Sequence, residues 1–414
     1  MRKRILVILL CVLMVIPVVL GLTACNKDGD YDYEITVWVG EGTKELTERQ
    51  IARFNETNEL GIKFKATVEI VSESKAVGNA TSAPQSCADI YCFAQDQLAR
   101  AVHAQLLMPL NSASVSAITE NCDEDSIEAA KVGDAIRAFP LTHDNGYFMY
   151  YDKRIVAEEH LGSLEDILQD CIDHNVNFSM QCTKEGDNGG SWYAASFFYA
   201  AGCKSEWTTD KDGNFTNYVD DFNSDNGVIA LKGLQALIQS KAYHSSSEIS
   251  DFTVGIHSGV VVSGIWGYKA AQQALGSNLG VAPLPSFTVD GESYQLVSYL
   301  GSKMLGIKPQ SDAYKAAYLQ RLAQFLTNEE CQKERFEEVG WGPSNKKAAE
   351  TASSPALDVL LKQAKTTPQG QYPTNWWTKV DTMVGDALTS KSDDTTLRGL
   401  LQTYTDTLND LKRS

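Results

Sequence analysis

An α/β fold in two domains is what this sequence predicts, and two features carry that expectation. The first is rhythm. A β-rich run, an amphipathic helix, an alternating strand, a polar stretch holding a further helix and a short apolar strand succeed one another between Glu34 and Phe93, the βαβ order of an α/β sheet. The second is length. The chain has 414 residues, and removing an N-terminal leader of 24 leaves 390, too many for one ordinary hydrophobic core and suited to two.

The leader opens with Arg2, Lys3 and Arg4, continues as an uncharged stretch from Ile5 to Leu22 and closes on Leu22-Thr23-Ala24-Cys25. A basic start, an apolar middle and small residues before a cleavage point make a signal peptide. The closing tetrapeptide resembles the bacterial lipobox, whose cysteine takes a diacylglyceryl group and becomes the mature N-terminus. Cys25 is therefore the expected lipidation site, and two acyl chains anchor a protein where one does so only marginally. An uncut transmembrane anchor is the competing reading, and Pro17 with the small residues before Cys25 suits cleavage better. The body that follows is expected on the outer face of a bacterial cell membrane, where such bodies capture solutes, cut polymers or shape the wall.

Composition narrows the partners. Losing Arg2, Lys3 and Arg4 with the leader takes the formal net charge from -17 to -20. Nucleic acid and anionic lipid headgroups reward clusters of Lys and Arg that this chain lacks, so neither is an expected partner. Beyond the leader no apolar run approaches the ~20 residues of a membrane-spanning helix. Cys11 leaves with the leader and Cys25 is used for lipid, so Cys87, Cys92, Cys122, Cys171, Cys182, Cys203 and Cys331 remain, an odd number with no C-x-x-C or C-x-x-H spacing. Cys87 and Cys92 flank a strand of about 16 Å, too far for a disulfide. These thiols are expected mainly as small buried hydrophobes.

The elements follow in order. Residues 25–33, rich in Asp and carrying Gly29, form a tether. Glu34 to Val39 is a strand, and Thr43 to Thr57 is a helix with Leu46, Ile51 and Phe54 on one face. In the next strand Ile62, Phe64, Ala66, Val68 and Ile70 alternate with Lys63, Lys65, Thr67 and Glu69. Ala88 to Phe93 is a third strand. Ser163-Leu164-Glu165-Asp166 is a capping-box-like start to a helix ending near Asn175. Trp192 to Ala201 and Ser224 to Lys241 are helices, and Asp212-Gly213 turns a hairpin between them. Asp210, Asp212 and Asn214 imitate a calcium loop, but Phe215 stands where its sharp glycine turn belongs and no glutamate closes it. Strands return at Gly259 to Ile265, Asn278 to Ala282 and Gln295 to Ile307. Helices close the chain at Asp312 to Leu326, Glu329 to Glu338, Pro355 to Lys365, Trp376 to Ser390 and Thr395 to Leu411.

No G-x-S-x-G, H-E-x-x-H or phosphate-cradling glycine loop is present, and His103, His143, His160, His174, His244 and His257 are scattered without metal-ligand spacing. Neither a metal nor a cofactor is expected. Glu41, Asp96 and Asp144 each follow a predicted strand, where ligands of α/β sheets gather, so a paired-carboxylate glycosidase stays conceivable beside simple helix-cap roles. Trp38, Phe93, Trp192, Tyr193, Trp266, Tyr268, Trp376 and Trp377 lie at strand ends or helix starts, where cores more often use aliphatics. Rings beside carboxylates and amides suit a sugar, whose C–H face stacks on an aromatic while its hydroxyls need polar partners.

Ala88-Asp89-Ile90-Tyr91-Cys92-Phe93-Ala94-Gln95-Asp96 followed by Leu106-Leu107-Met108-Pro109-Leu110 is similar to the corresponding segment of the maltose- and maltodextrin-binding proteins of ABC importers. Three further segments agree in the same order. They are Ala138-Phe139-Pro140 leading to Tyr151-Asp152-Lys153, Ser263 to Tyr268 leading to Pro283-Leu284-Pro285, and Gly340 to Lys346. The resemblance spans nearly the whole mature chain and implies a periplasmic-binding-protein-like fold, two α/β lobes joined by a multi-segment hinge. It divides the chain into residues 34–142 with 293–345 for the first lobe and 146–287 with 348–414 for the second.

The same resemblance implies that an oligosaccharide, of maltodextrin type, lies between the lobes. Glu41 and Lys44 would meet it from the first loop, Phe93, Asp96 and Gln97 from the next strand end and Asp144 after the first crossing, while Tyr193, Trp266 and Trp377 would stack from the second lobe. Two departures stand out. Gln97 occupies a position that is commonly arginine, which removes a bidentate clamp, and Trp192 stands beside Tyr193, leaving open which ring stacks. A monomer serving a membrane permease with its ATPase subunits is implied, with hinge segments at Thr142 to Tyr147, Ser286 to Glu292 and Lys346 to Glu350. A receptor for a cationic solute such as a polyamine would use the same acids and rings through cation–π contacts.

Overall fold

The computed structural model describes residues 31–183, 190–363, 366–367, 370–372 and 375–411. The leader, Cys25 and the tether up to residue 30 lie outside the described residues. Among the described residues no helix is long and apolar enough to cross a membrane.

Two five-stranded sheets organise the chain as two α/β lobes. In the first, Phe64–Ile70, Tyr33–Val39 and Ile90–Ala94 run parallel, followed by Lys303–Ile307, which is antiparallel to both its neighbours, and by Phe139–Pro140. Successive side chains point to opposite faces. Val37, Val39, Ile90 and Cys92 therefore pack with Ile51 and Phe54 of helix Lys44–Thr57 and with Leu319 and Leu322 of helix Ala313–Leu326. Trp38, Tyr91 and Phe93 pack on the other face with helices Ala76–Ser82 and Leu98–His103. Ile70 departs from the expected alternation, being 53% exposed, because its strand is the sheet edge.

The second sheet has the order Tyr243–His244, Asn177–Ser179, Ser258–Ser263, Phe148–Asp152, Leu279–Ala282. Met149, Tyr151, Val260 and Val262 face a core with Phe197, Leu234 and Trp376, while Phe148, Tyr150 and Val261 face Ile249, Leu357 and Leu360. Phe148–Asp152 was not among the expected strands. Both its faces are buried, so the run Phe148-Met149-Tyr150-Tyr151 shows none of the polar alternation that marks a half-exposed strand.

Local signals hold where they are chemical. Ser163 Oγ accepts the Asp166 N–H at 3.2 Å and starts helix Leu164–Asp173. Ser205–Thr209 and Phe215–Asp220 pair across a turn in which Gly213 has φ +87° and Asp210 Oδ1 accepts the N–H groups of Asp212 and Asn214. Asp210 thus closes a turn with its own backbone.

Two expectations are corrected between residues 286 and 307. Ser286–Val289 pairs antiparallel with Glu292–Gln295, so this segment is a hairpin and not a crossing. Its Phe287 lies 5.1 Å from Phe197 and 5.4 Å from Tyr294, ring centre to centre, and Leu296, Val297 and Tyr299 join the same second-lobe core. The single strand expected from Gln295 to Ile307 is broken at Leu296 and Val297 and again at Leu300 to Ser302, and only Lys303–Ile307 enters the first sheet. Here the chain crosses between lobes beside the first crossing. Asn145 and Gly301 exchange N–H···O bonds of 2.9 and 3.1 Å, and Leu141 N–H donates to the Lys303 carbonyl at 2.9 Å. Gly146 is required by this approach, since a Cβ there would sit 1.9 Å from the Tyr299 carbonyl oxygen. A third crossing follows helix Lys346–Ala349, because helix Pro355–Lys362 already packs Leu357 and Leu360 into the second lobe.

Cys87, Cys92, Cys122, Cys171, Cys182, Cys203 and Cys331 are all buried and free. Burial pushes the thiols up, Cys87 and Cys331 to about 11 and Cys122, Cys171 and Cys203 to about 12, so they are inert packing groups.

A candidate ligand cleft between the lobes

The three parallel strands of the first sheet end at one edge, and the loops that leave them supply one wall of a cavity of about 530 Å³. Glu41 and Gly42 follow the first strand, Ser72, Glu73 and Ser74 the second, and Ala94 ends the third. The facing wall comes from the second lobe. Trp192 stands at the start of helix Ser191–Ala200, and Trp266 follows strand Ser258–Ser263. Asn145 and Lys303 from the paired crossings form the floor, and Val339 and Trp341 close one side.

Three tryptophans and one lysine define the cavity. Trp192 and Trp266 lie 6.3 Å apart, tilted by 46°. Trp266 is 40% exposed, and its ring folds back over Gly264, where a Cβ would lie 2.0 Å from it. The Lys303 ammonium sits 5.3 Å from the Trp266 ring centre and 4.3 Å from that of Trp341, an arrangement that cation–π attraction favours. Its carboxylate neighbours are Asp144 at 3.5 Å and Glu73 at 4.0 Å.

The structure brings Glu41, Trp192 and Trp266 together and places the other expected residues elsewhere. Phe93 is fully buried beneath the sheet against Tyr91, on the face away from helix Lys44–Thr57. Gln97 is 1% exposed and works behind the cavity, where its amide donates to the Glu73 carbonyl at 2.7 Å and accepts the Val77 N–H at 3.3 Å. It holds the loop that carries Glu73 and lines no part of the cavity. Asp144 is fully buried; it accepts the Gly342 N–H at 2.5 Å and pairs with Lys303 beneath the cleft. Lys44 is half-buried in the first turn of its helix and lines no part of the cavity. Tyr193 packs into the second core 4.8 Å from Tyr147, with its phenol pushed up to about 12 by burial, so Trp192 is the ring that faces the cleft.

Trp377 turns away toward Asp96, donating its indole N–H to Oδ2 at 3.1 Å. Burial holds the Asp96 carboxyl above the usual carboxylate range, while the Arg100 charge and the Trp377 bond pull the other way. A carboxyl raised in the folded state stabilises the fold below its unfolded value of about 3.9, and that contribution is lost as pH rises through the folded value. Asp96→Asn, which keeps an acceptor for Trp377, is therefore expected to melt at or above the parent temperature at pH 7 and to match it near pH 3.5. A variant that loses more stability at pH 7 than at pH 3.5 would show that the ionised form is the one the fold favours.

Lys303, Glu73, Asn145 and Trp341 were not singled out from the sequence. Trp341 had a signal, since it lies in the Gly340 to Lys346 segment on which the family resemblance rests. Lys303 had none, because its role depends on the break at residues 300–302. Asp123, Asp125 and His143 also meet only in space, with one ligand atom of each within 4.8 Å of the others. Asp123 is already engaged there, accepting the Ser126 N–H and hydroxyl as a helix cap.

A family model for bacterial extracellular solute-binding proteins matches residues 49–363. The galactooligosaccharide-binding protein of Bacillus subtilis strain 168 is 24% identical over 425 residues, covering 95% of this chain and 94% of that protein. Among solved structures, the unliganded maltodextrin-binding protein of L. casei BL23 superposes with a TM-score of 0.74 at 20% identity over 90% of this chain and 98% of its own. A cyclo/maltodextrin-binding protein complexed with maltotetraose gives 0.68 at 22% identity, over 93% and 98%. These likenesses establish the two-lobed fold.

Proposed function

This chain belongs to the bacterial extracellular solute-binding proteins, a family that binds and does not catalyse, and from that premise we propose that it captures an oligosaccharide in the interlobe cleft for an ABC importer. The observation that carries the proposal is the set of Trp192, Trp266 and Trp341 around a cavity of about 530 Å³ that also presents Ser, Asn, Glu and Lys side chains. Flat apolar faces alternating with hydrogen-bonding groups match the two kinds of surface a sugar presents. Maltodextrins and galacto-oligosaccharides, the ligands named for the similar proteins, are the first candidates. Lipidation at Cys25 would keep the receptor beside its permease.

Capture needs no covalent step. A ligand that touches both walls when the cleft is shut, and one wall when it is open, favours the shut form by that difference in contact alone. The paired crossings at residues 141–147 and 297–303, with the third at 346–352, are the segments that would absorb the rotation.

A cationic solute fits less well, for a specific reason. The Lys303 ammonium already faces both Trp266 and Trp341, so the cation–π positions an incoming polyamine would use on those two rings are taken by a cation of the protein itself, whose charge Asp144 and Glu73 already offset. Thermal denaturation with maltotetraose, a galacto-oligosaccharide and spermidine tests the assignment. The expected result is a raised melting temperature with at least one of the two sugars and none with spermidine. Stabilisation by spermidine without a response to either sugar would overturn it, as would release of reducing ends from the sugars.

A further inference from the structure

Lys303 is 1% exposed, yet its ammonium borders the cleft and donates no hydrogen bond to any described residue. Asp144 Oδ1, 3.5 Å away, likewise has no hydrogen-bond partner among them. An ammonium has three N–H donors, and a buried charge left without hydrogen bonds is costly even when counter-ions are near. The fold nevertheless fixes this group firmly. Lys303 N–H donates to Thr142 Oγ1 at 3.1 Å, its carbonyl accepts the N–H groups of Leu141 and Thr142, and its ammonium lies between the Trp266 and Trp341 rings.

We propose that Lys303 and Glu73 form a ligand-reading pair on the cleft floor, in which the lysine donates to one hydroxyl oxygen of the sugar and the glutamate accepts from a neighbouring hydroxyl. The inference rests on the oligosaccharide assignment and adds the chemical class of the ligand. Two carboxylates, Asp144 and Glu73, already balance the ammonium, and Glu41 adds a further negative charge to the wall. The group that completes the lysine is therefore a neutral acceptor, because a uronate carboxylate in the same place would gain little from an ammonium whose charge Asp144 and Glu73 already offset and would be repelled by both, and by Glu41. A hydroxyl is both donor and acceptor, so adjacent hydroxyls on one ring satisfy both members of the pair. Glu73 is placed for this by the two bonds on its carbonyl, from Gln97 at 2.7 Å and from Ala94 N–H at 3.2 Å.

Calorimetric titration of the parent, Lys303→Met, Glu73→Gln and Trp266→Ala with maltotetraose, a galacto-oligosaccharide and α-1,4-trigalacturonate tests the inference. The parent is expected to bind a neutral sugar at least tenfold more tightly than the uronate. Lys303→Met is expected to weaken the neutral sugar about tenfold or more, and Glu73→Gln several-fold. Should Lys303→Met fail to fold, Glu73→Gln decides, since its side chain is partly exposed and makes no hydrogen bond or ion pair with another described residue beyond the lysine contact. Tighter binding of the uronate, or affinities of both variants within twofold of the parent while Trp266→Ala loses binding, would overturn the pair and leave the oligosaccharide assignment standing. No binding of either neutral sugar to the parent would overturn both.

Discussion

Trp266→Ala is expected to weaken oligosaccharide binding by about thirtyfold or more, corresponding to about 2 kcal/mol, the scale on which a buried aromatic anchor contributes to an interface. The ring is 40% exposed in the cavity, and its removal costs little of the fold. Its neighbours Trp192 at 6.3 Å and the Lys303 ammonium at 5.3 Å show that it stands at the centre of the polar and aromatic groups and not at their rim. The melting temperature should stay within a few degrees of the parent, because exposed substitutions rarely change stability by more than about 0.5 kcal/mol. Calorimetric titration with whichever sugar stabilises the parent measures the loss, and an unchanged affinity would remove Trp266 from the ligand contacts. Trp341 is a poorer choice for this experiment, being 4% exposed and packed in the first-lobe core.

Asp144→Ala is expected to destabilise the protein by about 3–5 kcal/mol, the range seen when one member of a buried ion pair is deleted. The substitution removes the nearer counter-charge of Lys303 and the acceptor of the Gly342 N–H together. Glu73, at 4.0 Å, offers partial compensation only. Asp144→Asn separates the two effects, since a carboxamide oxygen can still accept from Gly342, and it should lose less. Urea denaturation gives the comparison, and an Asp144→Ala variant as stable as the parent would show that Glu73 alone suffices for the lysine.

Those two residues also mark how far the sequence could be read. Helix starts such as Ser163 and Asp312 and the turn at Asp212-Gly213 were legible because a side chain or a glycine acts within four residues of itself. Trp266 was singled out because a ring just after a strand is unusual for a core and because it lies in the Ser263 to Tyr268 segment on which the resemblance rests. Asp144 was expected in the cleft and lies buried beneath it, because a carboxylate in a cleft and a carboxylate under it share one local pattern. Phe93 and Gln97 failed for a related reason. Phe93 lies within the strand that ends at the cleft and Gln97 just beyond it, but the pleat turns Phe93 under the sheet, and the first turn after the strand points Gln97 back at the Glu73 loop. Lys303 and Glu73 are 230 residues apart in a chain whose crossings bring them within 4.0 Å, and no window of sequence contains that fact.

Lys303 has one further consequence, mechanical in nature. Its carbonyl is the rung on which Leu141 and Thr142 hang, and its ammonium is part of the cavity floor. On the closure proposed above, the pivot and the sensor would be the same residue. A shift of a few tenths of an ångström imposed on that side chain by a ligand would then act close to the fulcrum, where a small displacement gives a large swing at the lobe tips.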